Sequence, residues 1–146
     1  MKKLSSVFVG LVALSLLIMP LAACEGEVSF TTASLSEATM CLGVDDDKRP
    51  LDATDVFSPD TPEIFCSVKL SSAPPGTEFR AEWIYVGGEL ENVSDYLIDV
   101  WETTVEEDCY IEVSLERAEA EWPRGYYQLV MYINDKEELS VPFTVE

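Results

Sequence analysis

Histidine is absent from all 146 residues. That absence removes the base of Ser-His-Asp and Cys-His nucleophile pairs, and the imidazole ligands of the usual catalytic zinc sites. No Cys-x-x-Cys pair occurs, which excludes the redox motif and the zinc ribbon. Glycine is scarce, at 7 residues, and forms no phosphate-cradling loop. Basic residues number 9 against 28 acids, a net charge of −19. Such a surface repels nucleic-acid phosphates and anionic lipid heads, and admits basic proteins, cationic peptides or divalent cations. No nucleic-acid partner is expected. Long apolar runs are also missing. Val7–Ala23 is interrupted by Gly10, Ser15 and Pro20, and it falls short of the ~20 residues that a spanning helix needs.

What is present begins with order. Met1-Lys2-Lys3 is followed by the apolar run and then by Leu21-Ala22-Ala23-Cys24. A basic start, a short apolar core and a small-residue exit make a secretory signal. The exit resembles a bacterial lipobox, the mark of lipoprotein signal peptides. The resemblance implies that the Cys24 thiol carries the lipid and that cleavage leaves Cys24 first. The expected segments are then a signal peptide over 1–23, a lipidated tether over 24–34 and one domain over 35–146. The implied location is extracytoplasmic, tied to a bacterial membrane through two or more acyl chains. Loss of Lys2 and Lys3 leaves the remaining chain at −21.

Beyond the tether the apolar residues alternate, which predicts strands. Ala38–Val44 is one. A possible short strand lies near Val56–Phe57. Glu63–Leu70 sets Ile64, Cys66, Val68 and Leu70 on one face. Glu78–Val86 turns Phe79, Ala81, Trp83 and Tyr85 inward. Asp95–Trp101 is a weaker strand. Cys109–Leu115 turns Cys109, Ile111, Val113 and Leu115 inward, and Tyr126–Ile133 alternates clearly. Asn134-Asp135 supplies tight-turn chemistry. The last strand buries Leu139, Val141, Phe143 and Val145, with Pro142 marking an edge or a bulge. About seven short strands with regular turns predict an all-β, antiparallel sandwich.

Trp83 follows Cys66 where immunoglobulin domains bury a tryptophan, and Tyr127 lies near the corner-tyrosine position. The closing block "WPRGYYQLVMYINDKEELSVPFTV" is similar to the last two strands of immunoglobulin-like modules in uncharacterised bacterial envelope lipoproteins. The resemblance implies an immunoglobulin-like β-sandwich over 35–146. One departure is plain: Leu129 stands where an antibody-type domain places its second cysteine. Three cysteines remain after Cys24. The neighbouring first and second strands of such folds imply a Cys41–Cys66 bridge, although the parity of Cys41 requires a bulge. Cys66–Cys109 pairing and three free thiols are the alternatives.

Carboxylates suffice for a glycosidase, but 28 acids make any pair easy to find, and a small sandwich offers little cleft. No enzyme activity and no cofactor are expected. Asp45, Asp47 and Asp52 are weak calcium candidates, lacking the Asp-x-Asp-x-Asp-Gly spacing. Glu106-Glu107-Asp108 reads as a solvated turn. Trp101, Trp122, Tyr126 and Tyr132 cannot all be core by parity; they are the candidate binding surface, set against a structural reading in which Trp122-Pro123 caps the sandwich end and the tyrosines cover the sheet. The expected function is an interaction module of the cell envelope, with an envelope protein or peptide as partner. Two other readings are a protease-inhibitor-like sandwich, acting through 71–76 or 87–92, and a calcium-dependent carbohydrate or adhesion module.

Overall fold

The structure is a computed structural model that describes residues 31–118 and 120–146. The expected signal peptide and Cys24 lie outside the described residues. Nine strands follow in order: β1 Ser34–Val44, β2 Pro50–Ala53, β3 Val56–Phe57, β4 Glu63–Ser71, β5 Thr77–Gly88, β6 Tyr96–Val105, β7 Cys109–Glu116, β8 Gly125–Ile133 and β9 Lys136–Val145. One sheet has the order β2-β1-β4-β7, the other β3-β9-β8-β5-β6. All pairings are antiparallel except β3 with β9.

Alternation decides what enters the core. Ile64, Cys66, Val68 and Leu70 of β4 are fully buried, and they face Phe79, Ala81, Trp83 and Tyr85 of β5 across the sandwich. Leu129, Met131 and Ile133 of β8 complete the opposing wall. Each large side chain buried in this way contributes roughly 1.5–3 kcal/mol. Tyr127 stacks on Phe143 at 5.1 Å, and Trp83 and Phe57 meet Phe143 edge-on at 5.9 and 5.7 Å. The Tyr127 hydroxyl donates to the Pro123 carbonyl at 2.5 Å, tying the entry of β8 to its first residues. Gly88 and Gly125 face each other across β5 and β8. A Cβ on Gly88 would lie 2.5 Å from Gly125 Cα, so only glycine fits that approach.

Several expectations change. β1 begins at Ser34, and buried Ala33 precedes it, so the end of the expected tether belongs to the fold. A bulge at Glu37, whose φ is 51°, breaks the alternation and brings Leu35, Ala38 and Met40 towards the core. β2 is not among the strands that alternation predicts. It carries no buried side chain, so nothing apolar announces it. β6 runs four residues past the expected Trp101. Cys109 keeps its inward parity opposite Leu70 but sits at a strand end and is exposed. Pro142 lies on β9 beyond the two positions that β3 covers, on a stretch with no second strand partner among the described residues.

The Cys41–Cys66 bridge is not formed, and the three described cysteines are free. Register gives the reason. Cys66 stands opposite Met40 and Cys41 opposite Phe65, so the two thiols point to opposite faces of the sheet. The Glu37 bulge lies too early in β1 to change this. Cys41 is nevertheless buried, on the face away from the core. The 45–49 turn folds towards that outer face. Ser67 Oγ donates to the Lys48 carbonyl at 2.6 Å, and the Arg49 guanidinium lies 5.1 Å from the Tyr110 ring centre.

Candidate functional site

The four expected surface aromatics do not form one patch. Trp122 is buried, and its Nε1 donates to the Thr61 carbonyl at 2.7 Å. It caps one end of the sandwich rather than presenting a ring. Tyr132 is half-buried on the outer face of β8. The Arg80 guanidinium stacks over its ring at 4.0 Å, and its hydroxyl donates to Glu82 Oε1 at 3.1 Å. Arg80 also bonds Glu82 through Nε and Asp135 through Nη1. The Tyr132 phenol is pushed up by burial first and then by the Glu82 carboxylate. This ring is held within its own cluster.

Trp101 and Tyr126 are exposed, at 42% and 66%. Trp101 stands opposite Ala81, and Tyr126 opposite Gly87 on the other flank of β5. Six residues of strand, about 20 Å, separate the two positions. Trp101 meets Phe79 edge-on at 6.1 Å, and it lines a groove of about 400 Å³ with Lys48, Val105, Cys109, Tyr110 and Ile111. The groove runs along the side where β6 and β7, the edge strands of the two sheets, lie.

β6 is the feature that residue-by-residue reading missed. Tyr96, Leu97, Val100 and Trp101 are all exposed apolar side chains on one strand. Its tip also borders an apolar cleft of about 430 Å³, walled by Tyr85, Leu90, Val93, Tyr96, Ile98 and Trp122. The Leu90 amide donates to the Tyr85 hydroxyl at 3.0 Å, so that phenol is engaged in shaping the cleft. The available signal was the weak alternation of 95–101. It is weak because both faces of the strand are wet.

Of the acidic candidates, Asp45 has a structural role. Asp45 Oδ1 accepts the amides of Asp47 and Arg49 at 2.8 and 2.9 Å, closing its turn. Asp52 is exposed at a φ of 56° on β2. Among the described residues, no three His, Cys, Asp or Glu side chains are gathered to hold a metal. Asp108 accepts the Ala73 amide at 2.8 Å, and bonds from Ala73 and Ser72 hold its carboxyl below the usual range. That bond also braces the 71–76 loop. The 87–92 loop is tied by the Glu89 amide to the Arg124 carbonyl at 2.8 Å.

An immunoglobulin-like protein from Pseudomonas aeruginosa matches this geometry with a TM-score of 0.55. The match spans 80% of this chain and 98% of that one, at 12% identity. The fold is immunoglobulin-like. Weaker likenesses join it. An alkylpurine DNA glycosylase from Pseudomonas fluorescens, bound to DNA with an abasic-site analogue, gives 0.49 at 10% identity over 80% of this chain. β-Glucosidase 3B from Thermotoga neapolitana, in complex with glucose, gives 0.46 at 14% identity over the same share. This chain spans 31% of the glycosylase and 16% of the glucosidase. No protein-family model and no curated protein matches the sequence. In this immunoglobulin-like domain the core position two residues after Tyr127 is Leu129, and Cys66 is a free thiol facing the core.

Proposed function

We propose that this chain is a lipid-anchored, extracytoplasmic and non-enzymatic interaction module of a bacterial cell envelope. The observation that carries the interaction role is β6, a ten-residue edge strand bearing four exposed large apolar side chains. Tyr96 and Trp101 lie on one face of this open edge and Leu97 and Val100 on the other, so a partner strand would meet apolar contact on both. The anchor rests on the order of charge, apolar run and Leu-Ala-Ala-Cys at residues 21–24. The non-enzymatic reading rests on the absence of histidine and on carboxylates spent in turns and cross-strand bonds.

Two measurements test the proposal together. Cys24→Ser should block processing or release the chain from membranes, as read by fractionation and by the mass of the mature N-terminus. Affinity capture from envelope extracts should recover a partner with the native chain and lose it with Trp101→Ala. A Cys24→Ser chain that is still processed and membrane-bound overturns the anchor. Equal recovery with Trp101→Ala overturns the β6 side as the interaction surface.

A further inference from the structure

We infer that residues 100–104 of β6 dock an extended, positively charged segment of a partner protein, which joins the five-stranded sheet as a sixth strand. The inference rests on the interaction-module reading and specifies its partner.

The backbone supplies the first argument. β6 pairs with β5 along nine positions, and among the described residues no strand pairs with its other side. In an antiparallel ladder, alternate residues turn both backbone groups towards the same neighbour. The Val100 amide donates to Asp99 Oδ1 at 2.9 Å. Val100 therefore faces the free side, and by alternation so do Glu102 and Thr104. Among the described residues, Asp99 is the one side chain bonded to a β6 amide. The guard sits beside the bulge at Ile98, where Trp83 pairs with Asp99 and Ile84 with Leu97. Beyond it the edge is regular and open, which suits strand addition.

Charge selects the occupant. β6 carries Asp99 and Glu102 and no Lys or Arg, and Asp95, Glu106, Glu107 and Asp108 flank it. Arg80 stands opposite Glu102, but its guanidinium is taken by Glu82, Asp135 and the Tyr132 ring. Among the described residues, Glu102 has no ion-pair partner. A basic residue on an added strand would meet it from the next position across the face, and Val100 and Trp101 would supply apolar contact. A second copy of this chain fits poorly. An antiparallel pairing centred on the outward-facing Glu102 would set that carboxylate opposite its own copy, and like charges directly opposite each other destabilise a pair.

The test uses the full chain in detergent and a blocked eight-residue peptide of alternating Lys and Val. Amide hydrogen exchange at Glu102 and Thr104 should slow by about tenfold or more at saturation, with tighter binding at low salt. A peptide of the same charge, methylated on alternate amide nitrogens, should give no protection there. Glu102→Lys should weaken binding by about tenfold, the effect of ~1.4 kcal/mol. Thr104→Pro, which removes an outward amide while keeping the charge, should abolish the protection with the fold intact. Equal protection by a Glu-Val peptide, or protection confined to other strands, overturns the inference. Concentration-dependent protection of β6 without peptide assigns the edge to a second copy and also overturns it. Capture lost with Trp101→Ala but unchanged with Glu102→Lys and Thr104→Pro defeats this inference and leaves the broader function standing. Capture unchanged by all three defeats both.

Discussion

At the β9 side of the large sheet, Phe57, Trp83, Tyr127 and Phe143 close on one another with ring centres 5.1–5.9 Å apart. At the β6 side, Phe79 meets Trp101 at 6.1 Å, and half of that indole stays in water. The β9 edge is short of donors at Pro142, carries Lys136, Glu137 and Glu138, and is covered by β3 at Thr144 and Val145. The β6 edge has ten residues, four of them large, apolar and exposed. Edges left long and apolar invite pairing, and proteins normally blunt them. One edge of this sheet is treated as a boundary to be sealed and the other as a surface to be used. Trp83→Ala and Trp101→Ala measure that difference directly. Removing the buried ring should cost about 3–5 kcal/mol in denaturant unfolding, and removing the rim ring under about 1 kcal/mol. Equal costs would mean that Trp101 is a core residue and that the β6 side is closed.

The same contrast appears in the thiols. Cys66 lies in the core, where burial first and the neighbouring Cys41 thiol second push it up to about 12. Cys109 borders the Trp101 groove and is exposed. An alkylating reagent at neutral pH should therefore label Cys109 and spare Cys66 and Cys41. The raised Cys66 value also has a sign. The unfolded chain releases this proton first, so the folded state holds more protons at high pH and stability falls as pH rises. The contribution is complete below about pH 9 and is lost towards pH 12, on the order of 4 kcal/mol for that interval. Unfolding curves from pH 8 to 11 should show the decline, and Cys66→Ala should make it shallower, with Cys41 and the raised Tyr127 and Tyr132 phenols supplying the remainder. A slope unchanged by the substitution would place the titration elsewhere.

Much of this was legible in the sequence, and the exceptions share a cause. The inward sets of β4, β5 and β8 were readable because one face of each is buried, so alternation survives in residue type. Trp83 and Tyr127 stood out for the same reason. Trp122 did not, because its burial depends on the Thr61 carbonyl, 61 residues earlier in the chain. Tyr132 looked free because Arg80, which covers it, lies on another strand. The parity of Cys41 was visible, but the position of the bulge was not, since Glu37 takes its positive φ without a glycine to announce it. The β6 surface was faint because a strand exposed on both faces has little pattern to show. Tyr127→Phe probes the legible part. Losing the bond to the Pro123 carbonyl should cost about 1–2 kcal/mol with the ring packing retained. A change within about 0.5 kcal/mol, the usual range of surface substitutions, would remove that bond from the forces that hold the closed side.

Asp99→Val is the smallest change in stability and the sharpest test of the contrast between edges. Asp99 is exposed, and its carboxylate covers one outward amide of β6. Its removal deletes that hydrogen bond and one negative charge, and lengthens an apolar run already containing Leu97, Ile98, Val100 and Trp101. Monomer stability should move by roughly 0.5 kcal/mol or less. Self-association, read by sedimentation over a concentration series, should rise well above that of the native chain, because the open edge would lose its guard against pairing with a copy. Glu138→Val on β9 should leave association unchanged, since Pro142 still interrupts the donors of that edge. If both variants associate equally, edge chemistry does not distinguish the two sides. If neither does, the bulge at Ile98 alone is enough to keep β6 from its own kind, and Asp99 is free to serve the approach of a basic partner.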